Sequence, residues 1–408
     1  MNGSKLDFEQ KMKDLILGDF ACPVKAEAFE SNPAWAAVKA CGTELWLDTG
    51  DLEEARRLWA GEFTGLTTNN TLLNKEVQKG IYDDLVSRVD KAPGGPIDSA
   101  ERVIEIAFVL NAYHALHLVN TFGCRVSVEL HTDLSHDVDR IIAYARRYWS
   151  ICPQHFYVKV AFTPAGVLAT RKLSREGILV NFTLEFSARQ NYLAAAVANP
   201  AFVNVFLGRL NAFVADNGLG DGLMVGEKAT LASQRAVLEL RGRGAHTRQI
   251  AASMRDATQV ASLAGVDVFT MPTKVAAAYV QKPAASLKSE VETDYGVKIS
   301  ERSAEVFWEI PDRFKRAVDA LARENLDAMT PSQLVDHLSK AGYPDFFPKW
   351  SPSDVAIIDG DGKIPRFDHW KDRAAKGQVS ADALMNAGGL ASFSADQKAM
   401  DDRIRALL

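Results

Sequence analysis

The 408-residue chain has few cysteines and no strong excess of either charge. Its four cysteines, Cys22, Cys41, Cys124 and Cys152, are widely spaced and form no CxxC pair. This scarcity disfavours a disulfide framework and is typical of reduced thiols in a cytoplasm. Acidic residues number 52 against 47 basic ones, and no segment concentrates lysine and arginine. A nucleic-acid partner is therefore not expected.

The sequence also lacks a secretory leader, an internal repeat and a low-complexity tract. Its first 20 residues mix charged and apolar side chains, which predicts an amphipathic leading helix and not a signal peptide or a membrane span. Hydrophobic residues make up 47% of the chain, enough for a full core. We expect a cytoplasmic globular protein without a membrane partner.

Short apolar runs alternate with helical patterns along most of the chain. This alternation predicts a parallel sheet closed into an (α/β)8 TIM barrel. An open doubly wound sheet is the alternative, but the Gly-rich phosphate turn that such a sheet carries is missing from "DTGDLEE" (48–54) after the first run. The predicted strands lie at 44–48, 63–68, 125–130, 156–160, 178–184, 202–206, 248–253 and 266–271, with helices between them at 99–117, 137–149 and 227–241.

The pattern changes after about residue 285, where helical segments follow one another without strands. We predict helices at 311–329 and 394–408, the second opened by a capping box of Ser394 and Gln397. The segment 342–353 is too rich in proline and aromatic residues for a helix and is expected to be an ordered excursion. The predicted organisation is an N-terminal helical extension (1–43), a catalytic barrel (44–285) and a C-terminal helical extension packed on the barrel (286–408).

Polar side chains lie at or near the carboxyl ends of the predicted strands. Residues two apart on a strand share a face, and in a barrel one face points to the axis. The carboxyl end of such a barrel is where active sites are built. We therefore expect two carboxylates, one lysine and several amides and hydroxyls to converge there, from Asp48, Glu129, Lys159, Asn181, Thr183 and Asn204.

Lys159, inside the apolar run "FYVKV" (156–160), is the most informative of these residues. Burying an ammonium costs several kcal/mol unless the group is paired or neutralised. An amine nucleophile for Schiff-base chemistry explains such a residue, and so does a structural ion pair with Glu129 or Asp48. The second carboxylate and the amides on the same rim favour the nucleophile, because an ion pair needs none of them.

In order along the chain, "LWLDTGDLEE", "GLTTNNTLLNKE", "VSVEL", "VKVAFTPAG", "GILVNFTLEFSARQ", "VNVFLGRL" and "AASMRDATQVASLAGVDVFTMP" resemble the transaldolase family, Schiff-base sugar-phosphate enzymes with an (α/β)8 barrel. The resemblance spans about residues 44–280. It implies that Lys159 forms the Schiff base and that Asp48 is the acid/base at the C4 hydroxyl. It further implies that Glu129 and Thr183 hold the water that shuttles protons.

The same resemblance implies a substrate site for small-molecule sugar phosphates, no metal, no organic cofactor and a place in the pentose phosphate pathway. A homo-oligomer is one alternative for the assembly. Arginines just beyond strands are usually solvated, but two after neighbouring strands six and seven favour phosphate binding. The implied substrate-binding residues are Asn69 and Asn181 for the dihydroxyacetone portion, Asn204 and Phe206 for the donor, and Arg209, Arg255 and Ser253 for the phosphate.

Three positions depart from the family pattern. The chain has "TTNN" (67–70) where the family usually has "TTNP", Ala161 in place of a proline after the lysine strand, and Asn204 in place of a serine. An amide differs from a serine hydroxyl in size and in hydrogen-bonding groups. The departures therefore bear on which sugars the protein accepts.

Three alternatives to a transaldolase-type transferase remain. A lyase like fructose-6-phosphate aldolase resembles a glutamine/tyrosine version of the site, whereas this chain has Glu129 and Phe206. "VAIIDGDGK" (355–363) resembles the aspartate motif of haloacid-dehalogenase-type phosphatases, but too few residues follow for that fold, and a hairpin turn at Asp361 and Gly362 is the preferred interpretation. A non-catalytic sugar-phosphate-binding barrel is disfavoured by the presence of Lys159 together with two carboxylates.

Overall fold

The structure is a computed structural model that describes residues 2–20, 27–96 and 98–408. Its centre is a closed barrel of eight parallel strands in sequence order, in which the first strand pairs with the last. The predicted (α/β)8 TIM barrel is thereby confirmed. The strands are β1 (Glu44–Asp48), β2 (Phe63–Thr67), β3 (Arg125–Glu129), β4 (Phe156–Ala161), β5 (Val180–Thr183), β6 (Phe202–Phe206), β7 (Arg248–Ala252) and β8 (Val268–Pro272).

Helices surround this barrel and form the segments before and after it. Short 3-10 turns lie at Thr132–Leu134, Arg302–Phe307 and Phe367–Trp370, and a π-helical turn lies at Ala194–Ala198. The helices are α1 (Asn2–Leu17), α2 (Pro33–Ala40), α3 (Leu52–Leu58), α4 (Asn70–Gln78), α5 (Asp83–Asp90), α6 (Ser99–Phe122), α7 (Val138–Ile151), α8 (Pro164–Arg175), α9 (Ala188–Leu193), α10 (Leu207–Asp216), α11 (Val225–Arg241), α12 (Thr258–Ser262), α13 (Thr273–Gln281), α14 (Asp312–Leu321), α15 (Pro331–Lys340), α16 (Pro352–Asp361), α17 (Lys371–Ala375) and α18 (Ala381–Arg405).

Aromatic side chains fill the barrel interior at the end opposite the carboxyl rim. The rings of Trp46 and Tyr157 stack 5.3 Å apart, and Phe202 packs edge-on against both. Gly65 makes room for them, because a Cβ there would lie 2.7 Å from the ring of Trp46. The interior is thus closed at one end, and only the carboxyl end can hold a site.

The segment before the barrel and the long helix α6 bury apolar faces. The predicted leading helix is confirmed as α1, with Phe8, Met12 and Ile16 buried at helical spacing. Helix α6 is long and apolar enough to cross a membrane, but 83% of its most apolar window is buried inside the structure. Packing therefore accounts for its composition. Cys41 and Cys124 are thiols, and Cys22 lies outside the described residues.

The region after the barrel is helical as predicted, but two boundaries differ. The helix predicted at 311–329 ends at Leu321, because the chain turns there and buries Leu326 before α15 begins. The capping box at Ser394 and Gln397 is wrong, since α18 begins at Ala381 and both residues lie inside it. Packing of α18 against the barrel rim outweighs the low helix propensity of Gly388 and its neighbour Gly389.

The other two expectations for this region differ in outcome. The segment 342–353 is ordered as predicted: it is non-helical as far as Trp350, and Phe346 and Phe347 are buried. The hairpin at Asp361 and Gly362 is wrong, because Asp361 ends α16 and Gly362 caps that helix with a φ of 75°. The division into domains at residues 43 and 285 stays a prediction.

Candidate active site

The register of the parallel strands brings the predicted polar residues to one rim of the barrel. Glu129 is the Cα partner of Lys159, which in turn is the partner of Asn181. Elsewhere on the closed sheet, Asp48 is paired with Thr67. Because these positions lie at or near the carboxyl ends of their strands, inward side chains converge on one mouth.

Lys159 lies deep in that mouth, with only 4% of its surface exposed. Its ammonium nitrogen donates a hydrogen bond to the carbonyl oxygen of Thr68 at 3.2 Å and lies 3.8 Å from a carboxylate oxygen of Glu129. The second distance is too long for a direct hydrogen bond, so the two charges attract without being locked together. A buried amine without a direct hydrogen bond to a carboxylate is the kind of group that can act as a nucleophile towards a carbonyl carbon.

Glu129 is held by a backbone group that the sequence pattern does not reveal. The N–H of Asn70 donates to Glu129 Oε2 at 3.0 Å. Burial raises the pKa of Glu129, while Lys159 and this N–H act in the opposite direction. Asn70 stands where the resembled family usually has a proline, and a proline has no N–H to donate. This departure from the family pattern therefore adds a hydrogen bond to a candidate catalytic carboxylate.

Asp48 occupies the opposite side of the mouth and is partly exposed. The hydroxyl of Thr67 donates to its Oδ1 at 2.8 Å, and the hydroxyls of Thr67 and Thr270 lie 2.5 Å apart. Burial of its carboxyl among the strand ends raises the pKa of Asp48, although the charge of Lys159 and the Thr67 hydroxyl partly offset this. Such a carboxyl is suited to accept a proton and return it.

The candidate amide ligands already make some of their hydrogen bonds within the protein. Asn204 Nδ2 donates to Asn181 Oδ1 at 2.8 Å, and Asn181 Nδ2 donates to the hydroxyl of Ser127 at 2.9 Å. The Oδ1 of Asn69 accepts the N–H of Leu72 at 2.9 Å and so caps α4. Only the remaining donors and acceptors of these amides are available to a substrate.

Thr183 has the opposite character. Its side chain is fully buried, and its hydroxyl makes no hydrogen bond to any described residue. A buried hydroxyl without a partner is rare in native structures and marks a place where water or substrate completes the bonding. This is compatible with the predicted role of Thr183 beside Glu129, which stays a prediction.

Arg209 is, like Lys159, a buried cation of the site. It is only 9% exposed, and its Nη1 makes no hydrogen bond to any described residue. Burial, together with the charge of Arg255, lowers the pKa of Arg209 to about 10. Because the charge of Arg255 lowers the pKa of Arg209, whose Nη1 is buried without a hydrogen bond, an anion would stabilise this site.

Gly208 allows these two arginines to approach each other. A Cβ at Gly208 would lie 2.3 Å from the carbonyl oxygen of Ser253 and 2.5 Å from Cγ of Arg255. Ser253 has a φ of 61°, in the left-handed region that side chains other than glycine rarely adopt. The loop after β7 is thus held against the start of α10, with Ser253 and Arg255 at the same rim as Arg209.

Helix α18 crosses the mouth, and its first turns lie against the chain that follows β5. Asp382 accepts two hydrogen bonds from the guanidinium of Arg189, each at 2.8 Å, and both residues are buried. Burial alone would raise the pKa of Asp382, but Arg189 holds it below its usual range. Next along the helix, Asn386 Nδ2 donates to the carbonyl oxygen of Leu184 at 2.8 Å. These contacts fix the first turns of α18.

The second half of α18 is anchored on the first turn of α4, after β2, and on the loop after β3. Asp396 accepts a hydrogen bond from the hydroxyl of Thr71, and Asp401 lies 3.2 Å from Nε2 of His131. With Asp133, His131 and Asp401 also form a group close enough to hold a metal ion. Since Asp133 is exposed and Asp401 already contacts the imidazole, we interpret the group as an anchor for the helix.

Sequence reasoning missed Phe393, which α18 places in the mouth. The Phe393 ring lies 5.6 Å from Nζ of Lys159 and 5.4 Å from Cζ of Arg209. Phe206, which the sequence analysis did assign to the site, lies 5.6 Å from the same guanidinium and 6.4 Å from the Phe393 ring. The apolar spacing of α18 carries no signal that separates Phe393 from an ordinary core residue.

Sequence reasoning also missed Glu185, beyond the end of β5. It is fully buried, and neither carboxylate oxygen has a partner at full hydrogen-bond geometry among the described residues. Burial raises the pKa of Glu185 well above its ordinary value, although the nearby backbone N–H groups of Glu185 and Asn204 and the charge of Lys159 act against it. A signal existed, because a charged residue in the apolar stretch "FTLEF" (182–186) is as unusual as Lys159 in its own strand.

Two cavities of about 540 Å³ each lie elsewhere in the described part of the chain. One is lined by arginines such as Arg171 and Arg243, and the other by aromatic and aliphatic residues including Phe346 and Leu390. Neither contains Lys159 or the carboxylates of the rim. Size alone therefore does not identify the site, and the converging lysine, carboxylates and arginines do.

Comparison with known proteins agrees with this geometry. Residues 45–332 match the family described as Transaldolase/Fructose-6-phosphate aldolase. A transaldolase of Xanthomonas euvesicatoria pv. vesicatoria is 31% identical over 233 residues, which cover 55% of this chain and 71% of that protein. A probable transaldolase of Thermus thermophilus is 34% identical over 259 residues, which cover 62% of this chain and 95% of that protein. Helix α18 lies beyond the residues that match the family.

Proposed function

This chain belongs to the transaldolase/fructose-6-phosphate aldolase family, and from that premise we propose that it transfers a dihydroxyacetone unit from a ketose phosphate to an aldose through a Schiff base on Lys159. The observation that carries the proposal is the buried amine of Lys159, whose Nζ lies 3.8 Å from Oε1 of Glu129, too far for a direct hydrogen bond. Asp48 and two arginines complete the set of groups that such a reaction needs.

In the first step, Glu129 takes up a proton from the Lys159 ammonium through the proposed shuttling water, and the resulting amine attacks the ketose carbonyl at C2. The carbinolamine then loses its hydroxyl as water and becomes a positively charged iminium. Protons must reach and leave the oxygen during this step. Glu129, whose pKa burial raises, is the proposed acid/base, and the unpartnered hydroxyl of Thr183 would help it to hold the water that shuttles these protons.

In the second step, Asp48 accepts the proton of the C4 hydroxyl as the C3–C4 bond breaks. The bonding electrons move onto C3 and are delocalised into the iminium, which becomes a neutral enamine. The aldehyde leaves, and the three-carbon fragment stays on Lys159. Reversal with another aldehyde, in which protonated Asp48 returns the proton to the new alkoxide, completes the transfer.

Arg209 and Arg255 bind the phosphate in this proposal. A phosphate oxygen would complete the bonding of the buried Arg209 guanidinium and relieve the repulsion between the two cations. The serine at the same loop, Ser253, offers a hydroxyl. The pathway, a cytoplasmic location and a homo-oligomeric state stay predictions.

A lyase that releases dihydroxyacetone is the second candidate, and it differs only in the fate of the enamine. Release requires a proton on C3 and then hydrolysis of the iminium. Phe206 has no ionisable group that could deliver this proton, and its ring is buried beside Arg209. We therefore favour transfer.

The test uses fructose 6-phosphate as donor and isotopically labelled glyceraldehyde 3-phosphate as acceptor. A transferase moves label into fructose 6-phosphate much faster than it releases free dihydroxyacetone, and a chelator leaves the rate unchanged. Equal rates of release and exchange identify the lyase. Absence of both, with binding retained, identifies the non-catalytic barrel.

A further inference from the structure

The site described above has a wall that comes from outside the family-matched part of the chain. Phe393, on α18, lies 5.6 Å from Nζ of Lys159 and 5.4 Å from Cζ of Arg209, measured to its ring centroid. Its side chain is only 4% exposed. The ring thus covers the lysine that would carry the intermediate and the arginine that would hold the phosphate.

We infer that Phe393 is a specificity-determining residue of the active site, which shields the Lys159 enamine from water and so favours transfer over release. The inference rests on the proposed function. It adds a residue of the C-terminal extension to the reaction and gives this helix a chemical role beyond packing.

The chemistry of release explains why an apolar cover matters. For release, C3 of the enamine takes a proton from solvent or from a water-borne acid, which regenerates the iminium. Water then adds to C2, the C–N bond breaks, and dihydroxyacetone leaves while Lys159 regains its proton. Transfer also ends with hydrolysis of an iminium, but its enamine needs no external proton, because C3 attacks the aldehyde carbon and Asp48 returns its proton to the alkoxide. Excluding water from the enamine therefore slows its protonation at C3, the step that only release requires.

Phe393 acts together with Phe206. The two rings lie 6.4 Å apart at an interplanar angle of 67°, and the Arg209 guanidinium lies 5.6 Å from the Phe206 centroid and 5.4 Å from the Phe393 centroid. Neither ring carries a proton that can be transferred to carbon. At this distance from Nζ of Lys159, the π face of the ring also attracts the positively charged iminium. The ring thus takes the place of the bulk water that would otherwise solvate this charge.

The position of the ring is fixed by the helix that carries it. Buried Asp382 binds Arg189 before Phe393 in the chain, and Asp396 binds Thr71 after it. Gly389 lets α18 approach the barrel, since a Cβ there would already lie 3.2 Å from both Leu184 and Phe186. The ring is therefore held by contacts on both sides and is not a side chain on a loose loop.

The experiment measures the ratio of dihydroxyacetone release to label exchange, with fructose 6-phosphate and labelled glyceraldehyde 3-phosphate as probes. We expect Phe393→Ala to raise this ratio about fivefold or more and Phe393→Leu to raise it less. Phe307→Leu is the matched control, because Phe307 is fully buried in the C-terminal region but packs on Phe213 away from the mouth. A ratio is independent of the fraction of folded protein, so a purely structural effect does not move it.

Two failures are distinguishable. If the wild-type chain neither exchanges label nor forms a borohydride-reducible adduct, the proposed function is wrong. If the wild type does both, and Phe393→Leu and Phe393→Ala keep the wild-type ratio, the proposed function stands and the inference about Phe393 is wrong. Should Phe393→Ala not fold, the leucine variant decides the question alone.

Discussion

The two halves of the barrel mouth differ in what covers them. The covered half runs from the segment after β2 to β6 and lies under α18, and its candidate functional groups Glu129, Lys159, Thr183 and Arg209 are buried. In the open half, formed by β7, β8 and β1, Asp48 and Ser253 are partly exposed and Arg255 is exposed.

This difference corresponds to two requirements of the proposed Schiff-base transfer. The proposed covalent intermediate would need a dry environment, which the apolar rings and the fixed helix of the covered half would provide. Substrates would have to enter and leave, and the open half carries Asp48, the proposed acid/base, and the exposed Arg255. We infer that sugars enter over β7, β8 and β1, with the carbonyl directed under α18.

The largest expected effect comes from removing the ion pair between Asp382 and Arg189 that anchors α18 over the mouth. Asp382→Ala leaves Arg189 buried and unpaired, which should lower the free energy of unfolding by about 3–5 kcal/mol, measured by urea titration. The folded pKa of Asp382 is depressed, so its stabilisation is present above the unfolded pKa and is lost as the pH falls through the folded pKa. Asp402→Ala, on the exposed face of the same helix, is the control and should change little. Equal effects of the two variants would mean that α18 is not anchored there.

The proposed phosphate site, formed by Arg209 and Arg255, lies across the border between the halves. Arg209→Ala or Arg255→Ala should weaken kcat/KM for fructose 6-phosphate by about 2–4 kcal/mol and for free fructose much less, because a charge-assisted contact is lost. Arg302→Ala, whose side chain is 87% exposed, is the control. An equal loss with both sugars would contradict phosphate binding by these arginines.

Within the covered half, Asn70→Pro tests the hydrogen bond to Glu129. Asn70 is the first residue of α4, where proline is favoured, and Asn69 before it is extended, so the fold should tolerate the change. Asn70→Ala keeps the N–H and is the matched control. The Asn70 N–H lowers the pKa of Glu129, so losing it should move the acid limb of the pH profile of kcat/KM to higher pH. Near that limb, the loss in kcat/KM should correspond to about 1–2 kcal/mol. Identical profiles for the two variants would exclude this role.

The smallest expected effect concerns Glu185. Its folded pKa is raised by burial, so the folded state keeps a proton that the unfolded state releases as the pH rises, and stability falls above the unfolded pKa. Glu185→Gln should therefore stabilise the protein more at pH 8 than at pH 5, as measured by thermal unfolding. A pH-independent difference would mean that Glu185 does not titrate in this way.

The strand ends and their polar residues could be predicted because burying a lysine or a carboxylate is costly. A charged residue inside an apolar run is therefore unusual and easy to recognise in the sequence. Lys159, Glu129 and Asp48 were found in this way. The bond from Asn70 to Glu129 could not be found, since it uses a backbone atom. Phe393 was hidden because its contacts join residues far apart in sequence, and an apolar residue on a helix is ordinary core by default.

The central claim is that the covered half holds covalent chemistry at Lys159. Incubation with fructose 6-phosphate and borohydride, followed by intact mass measurement and peptide mapping, tests it most directly. The account predicts one reduced sugar or three-carbon adduct on Lys159, which is absent in Lys159→Met. An adduct on a different lysine, or none with any ketose, would contradict it.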